Sequence, residues 1–176
     1  MNGVSEGWAR FAYLGTKQIL QIRACMPTTI KTGLNGAMAG ALATIPMSAV
    51  MLGVQRVGLM GRQPPEVITQ RALDAANTEP TTTATKALAA ALHFAFGAAA
   101  GTEFALLNRD EPSRPLAVAK GVGFGLALYA ASYGGWIPAT GILPAPQRDR
   151  KGRQPSMAAA HVVYGAALAL LLSGDD

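Results

Sequence analysis

Four stretches of this chain are nearly free of charge, and each approaches the length of a membrane-crossing helix. Residues 32–55, 121–147 and 154–174 contain no Asp, Glu, Lys or Arg, and a fourth run, 87–102, continues past Glu103 to Leu107. A helix needs about 20 mostly apolar residues to cross the hydrocarbon core of a bilayer. A water-soluble helical bundle would need a polar face on every helix, whereas here apolar residues surround each predicted helix. Charged residues make up only 14% of the 176 positions, against about 25% in soluble proteins. The modest mean hydropathy of +0.24 fits this reading, because Gly and Ala fill much of the four runs. Small residues are what packed membrane helices place at their contacts.

The predicted fold is therefore an all-α membrane protein, a four-transmembrane-helix bundle. Its membrane domain covers residues 34–172, with spans at about 34–54, 86–107, 115–136 and 156–172. Residues 1–33 precede it and carry Arg10, Lys17, Arg23 and Lys31 among scattered apolar residues. Three readings stand for this tail: a short amphipathic helix on the membrane surface, an unstructured segment, or an over-extended start for which Met26 is the true initiator. The single cysteine, Cys25, gives no internal disulfide and no cysteine-based metal site. No secretory signal peptide is recognisable in the first 20 residues.

Two segments share an order of histidine, aromatic, glycine and small residues. His93, Gly97 and Gly101 fall at i, i+4 and i+8, as do His161, Gly165 and Ala169, so each helix has one smooth stripe with an imidazole at one end. The other two spans open on matching GxxxG patterns, Gly36 to Gly40 and Gly121 to Gly125, which allow close helix approach. A glycine-rich helix followed by a histidine helix thus occurs twice, the two units separated internally by 57 and 40 residues. This predicts a tandem repeat of two-helix hairpins in the same orientation. It also places His93 and His161 at similar depth, near Tyr129 and Tyr133, as an intramembrane polar layer.

Pro46 interrupts the first span, with Thr44 and Ser48 available to satisfy the freed carbonyl. The connection that follows holds Pro64-Pro65-Glu66, a helix start with proline in the first turn and a carboxylate on the positive end of the dipole. A short interfacial helix is expected there, over 67–76, and Thr81 to Thr85 supply N-cap oxygens for the second span. The short loop from Asn108 to Pro115 predicts an antiparallel hairpin of the second and third spans. Glu103 and Lys120 each lie five residues inside it, about 7 Å along their helices, and are a candidate ion pair, with snorkelling of Lys120 as the alternative. Tyr129, Tyr133 and Trp136 share a face near the interface, and Pro138 and Gly141 end the third span.

The segments Pro64-Pro65-Glu66, His93 to Gly101, Ser132-Tyr-Gly-Gly-Trp-Ile-Pro138 and His161 to Gly165 resemble the YagU-like group of small bacterial inner-membrane proteins and its uncharacterised relatives. The likeness covers roughly residues 34–171. It implies a multi-pass protein of the bacterial inner (plasma) membrane with unassigned activity, and it transfers no catalytic residues.

The sequence contains no HExxH, P-loop or Gly-x-Ser-x-Gly motif, so no enzyme, metal or other cofactor is expected. The expected partner is the lipid bilayer, with anionic lipid at the basic loop 148–153 rather than nucleic acid. A homo-oligomer would cover glycine stripes left open on the bundle. Lys and Arg are more numerous on the side of the first and third loops, which points both termini outward. The expected role is structural or accessory; the alternative is proton-linked transport or channel activity through the histidine layer.

Overall fold

The structure is a computed structural model, and it describes residues 27–109 and 113–174. The N-terminal tail through Met26, with Cys25 and the start-site question, lies outside the described residues. Within them the chain is helical: α1 (Thr28–Arg56), α2 (Pro64–Ala75), α3 (Thr82–Leu107), α4 (Arg114–Ala131), α5 (Ile137–Ala139) and α6 (Arg153–Leu172). A π-helical turn, Ser132–Trp136, fuses α4 to α5. Four of these units, Thr28–Arg56, Thr82–Leu107, Arg114–Ala139 and Arg153–Leu172, are long and apolar enough to cross a membrane.

Each begins or ends a little beyond the predicted span. α1 starts at Thr28 rather than near Leu34, α3 at Thr82 rather than Lys86, and α6 at Arg153 rather than Ser156. The cause is helical continuity: a charge-free run marks the hydrocarbon, but the backbone keeps its hydrogen-bonded ladder through the adjoining polar turn until a cap ends it. Thr81 is such a cap, its hydroxyl accepting from the Ala84 N–H at 3.2 Å. α2 begins at Pro64 with Glu66 in its first turn.

Pro138 does not end the third span. A proline offers no N–H to the carbonyl four residues earlier and crowds it. Here the turn before it widens, and the Ile137 N–H reaches back five residues to the Ser132 carbonyl. The helix passes through Pro138 and stops at Thr140 and Gly141, whose φ of 71° suits glycine. The wide turn also shifts the helical phase, so Tyr133 and Ile137 are buried while Trp136 is 44% exposed.

The packing follows the glycine stripes. α1 packs on α3, α4 on α6, and α1 on α6, while α2 lies against α3. The hairpin expected between the second and third spans is not a principal contact; α3 and α4 meet at the rings of Phe104 and Phe124, 5.2 Å apart. A short loop sets which way the next helix runs, but the smooth faces of α3 and α4 are turned to α1 and α6, and close packing goes with them.

At the α1–α3 crossing, a Cβ on Gly36 would meet the Gly101 carbonyl and the Ala105 Cβ, and one on Gly40 would meet the Gly97 carbonyl. At the α4–α6 crossing, a Cβ on Gly121 would meet the Gly165 carbonyl and the Ala169 Cβ, and one on Gly125 would meet the His161 carbonyl. Backbone lies on backbone in both. Gly36, Gly40, Gly97, Gly101, Gly121, Gly125 and Gly165 therefore all sit at contacts within the chain, and these stripes are not open for another copy to cover.

The distribution of side-chain size is inverted relative to a soluble bundle. The interior of α1 is Gly36, Ala39, Gly40, Ala43 and Thr44 with two methionines, while Leu34, Met38, Leu42 and Ile45 face outward. Large apolar residues also cover the outside of α3, α4 and α6.

Candidate functional site

The bundle encloses a cavity of about 230 Å³ in the half that adjoins the α1–α2 turn. All of the long helices contribute to it. α1 presents Thr44, Met47 and Met51, and α2 closes one side with Pro64, Ile68 and Thr69. From α3 come Leu92, His93 and Phe96, from the α4–α5 segment Leu128, Ser132 and Trp136, and from α6 Met157, His161 and Tyr164. Its walls are largely apolar, with two imidazoles among them.

His161 is 5% exposed. Its Nδ1 lies 2.8 Å from the Met157 carbonyl one turn earlier. A carbonyl only accepts, so Nδ1 carries a proton, and in the neutral ring Nε2 holds a lone pair. Tyr129 packs edge-on against this ring at 5.7 Å. His93 Nε2 is buried and has no hydrogen-bond partner. A buried polar atom left unpaired is costly, which marks this position as one that structure alone does not explain.

The hydroxyls around the cavity donate elsewhere. Thr44 Oγ1 donates to the Gly40 carbonyl at 2.8 Å, Ser132 Oγ to the Leu128 carbonyl at 2.6 Å, and Tyr164 to the Gly97 carbonyl at 2.7 Å. Thr44 thus serves Gly40 and not the carbonyl freed by Pro46, the role expected of it.

The predicted polar layer is therefore divided. His93 and His161 line one cavity, but the two crossings pair Gly97 with Gly40 where His161 pairs with Gly125. In that frame His93 stands one turn before the position that His161 occupies, and the matched depth read from the sequence is offset by four residues. Tyr129 supports His161 from behind. Tyr133 packs on Tyr129, ring centroids 5.6 Å apart, but its hydroxyl donates to Asp149 Oδ2 at 2.9 Å. Glu103 and Lys120 both lie on exposed faces of their helices.

The ion pair that is buried was not anticipated. Arg153 Nη1 contacts both Asp149 oxygens, at 3.0 and 2.9 Å, and the two side chains are 8% and 4% exposed. Arg153 also donates from Nε to the Met60 carbonyl at 2.9 Å and from Nη2 to the Arg62 carbonyl at 3.3 Å. One guanidinium thus ties the loop before α6 to the loop after α1. Burial alone would raise the Asp149 carboxyl. Hydrogen bonds from the Arg150 N–H, the Tyr133 hydroxyl and Arg153 outweigh it and hold Asp149 below the usual carboxylate range. The basic loop is accordingly smaller than it looked: Arg148, Arg150 and Lys151 are exposed, while Arg153 is internal. The signal in the sequence was the i, i+4 spacing of Asp149 and Arg153.

Among the described residues, no group of three His, Cys, Asp or Glu side chains comes together to hold a metal ion. No family model, curated protein or solved structure matches the chain.

Proposed function

We propose that the chain is a small multi-pass protein of the bacterial inner membrane, akin to the YagU-like group, with a structural or accessory role and no catalytic activity of its own. The observation that carries the membrane reading is the inverted packing: glycine and alanine inside, leucine, isoleucine and phenylalanine outside, on four helices of spanning length. Lipid replaces water as the solvent for that outer surface. In this reading α2 lies at the interface, with Arg71 and Asp74 exposed and Thr69 turned inward, and Arg148, Arg150 and Lys151 contact anionic headgroups. The likeness of the two glycine crossings supports descent from a duplicated hairpin.

The accessory role is favoured over a conduit because the cavity walls are largely apolar and the hydroxyls around it donate to carbonyls of the helices themselves. Proton-linked transport is kept as the second reading on one observation, the presence of both histidines in a single cavity. Proton flux into liposomes holding the purified protein distinguishes them. The accessory reading expects no flux at any pH; flux abolished by His93→Ala or His161→Ala, at equal insertion, would replace it with the transport reading. The membrane reading itself expects the chain to stay with the membranes after an alkaline wash, and recovery in the supernatant would refute it.

A further inference from the structure

The cavity has a way in, and it faces sideways. α3 leans on α1, α4 leans on α6, and α1 joins α6, so the chain of packed helices is left open between its two ends, α3 and α4. The Phe104–Phe124 contact closes the gap at one end, and α2 stands across the other. Between these limits lie Leu92 and Phe96 of α3 and Trp136 beyond α4, which line the cavity yet are 52%, 50% and 44% exposed. A mouth walled by half-exposed Leu, Phe and Trp is suited to molecules dissolved in the bilayer, not in water.

The interior specifies the chemistry of what enters. The Thr44, Ser132 and Tyr164 protons already go to carbonyls, and the imidazole nitrogens retain capacity. His161 Nε2 offers a lone pair because its Nδ1 proton is held by Met157; a ligand carbonyl, which also only accepts, would be repelled there. His93 Nε2 lacks a partner. A ligand hydroxyl meets the need of His161, giving its proton to Nε2. The size of the cavity, about 230 Å³, limits the rest of the ligand: a dry cavity of about 150 Å³ holds benzene, so this one admits a single substituted ring. Phe96, Trp136 and the sulfurs of Met47, Met51 and Met157 are good neighbours for an aromatic ring.

We propose that this cavity binds the hydroxylated ring of a lipid-soluble phenol or hydroquinone entering between α3 and α4, with His161 Nε2 accepting a hydrogen bond from the hydroxyl. The proposal rests on the membrane reading above, since only a bilayer would present such a molecule to this mouth.

The test uses the full chain in phosphatidylcholine nanodiscs, with Trp8→Phe so that fluorescence reports on Trp136 alone. 4-Propylphenol is titrated beside propylbenzene, its counterpart without the hydroxyl. The expected result is saturable quenching by the phenol at a concentration lower by about two- to tenfold than for propylbenzene, the effect of one buried hydrogen bond. His161→Phe should erase that preference. Should that variant fail to fold, Ala89→Leu, which adds bulk to the cavity wall one turn before His93, should abolish saturation for both compounds. Equal response to the two compounds, or an unchanged response in Ala89→Leu, would mean simple partitioning into lipid and would overturn the proposal. So would Trp136 quenching by brominated lipid that saturating phenol does not relieve, which would make an acyl chain the occupant. Cross-linking between copies through Leu92→Cys would instead place a second copy over the mouth, and would overturn it equally. In all these outcomes the protein remains in the membrane after an alkaline wash, so failure of the ligand proposal is separable from failure of the membrane reading.

Discussion

The Tyr164 hydroxyl on α6 donates to the Gly97 carbonyl on α3 at 2.7 Å, joining two helices that otherwise each rest on α1. The Gly97 carbonyl can still serve its own helix with a second lone pair. Tyr164→Phe should therefore lower stability by about 0.5–1.5 kcal/mol, the net worth of one hydrogen bond, with no loss of helix content. Unfolding in mixed detergent followed by circular dichroism checks this.

The crossings should discriminate sharply between glycines that look alike in sequence. A Cβ at Gly40 meets the Gly97 carbonyl and the Gly101 backbone, whereas one at Gly123 meets nothing within 4 Å. Gly40→Ala should destabilise by about 1–3 kcal/mol or more, since backbone on both sides must separate. Gly123→Ala, on an exposed helix face, should be neutral or stabilising by up to about 1 kcal/mol through helix propensity. The same detergent titration reads both, and similar losses in the two variants would contradict the close packing of α1 on α3.

These two glycines also mark how far the sequence could be read. The four charge-free runs identify the helices long and apolar enough to span a membrane, and the two GxxxG patterns identify which faces are smooth. The axial slide of one helix on another is not in the pattern, because a small stripe repeats every four residues and accepts a partner at any turn. Hence the repeat written in sequence matches His93 with His161, while the contacts match Gly97 with His161. Tyr133 lies beside Tyr129 as their spacing expects, but nothing local says that its hydroxyl meets Asp149 of the following loop. Arg153 was read as a loop charge because nothing local says that two distant loops converge on it.

Asp149 and Arg153 should govern the acid stability of the bundle. The Asp149 carboxyl titrates below its ordinary value of 3.8 when folded, so the unfolded chain binds its proton more readily than the folded one. Its contribution is present in full above the ordinary value and is lost as pH falls through the lower folded value. Asp149→Asn should flatten this part of the pH–stability curve. Arg153→Ala should cost about 3–5 kcal/mol at neutral pH, because it strands a carboxylate of 4% exposure. A variant losing under about 1 kcal/mol would show that water reaches the pair.

The orientation follows from cations that remain exposed once Arg153 is set aside. On the side of the cavity, Arg56, Arg62, Arg71, Lys86, Arg148, Arg150 and Lys151 stay available, most of them within a few residues of a span. Lys31, Arg109, Arg114 and Lys120 lie on the opposite side, with Arg23 beyond the described residues. By the positive-inside rule the imbalance predicts cytoplasmic α1–α2 and α5–α6 connections. In a Cys25→Ser background, Lys151→Cys should then react with a membrane-impermeant maleimide only after cells are opened, and Asn108→Cys should react in intact cells. The reverse pattern would turn the bundle over. The half containing the two histidines would then sit nearer the outer face, and a bilayer-borne ligand would reach them from the outer leaflet.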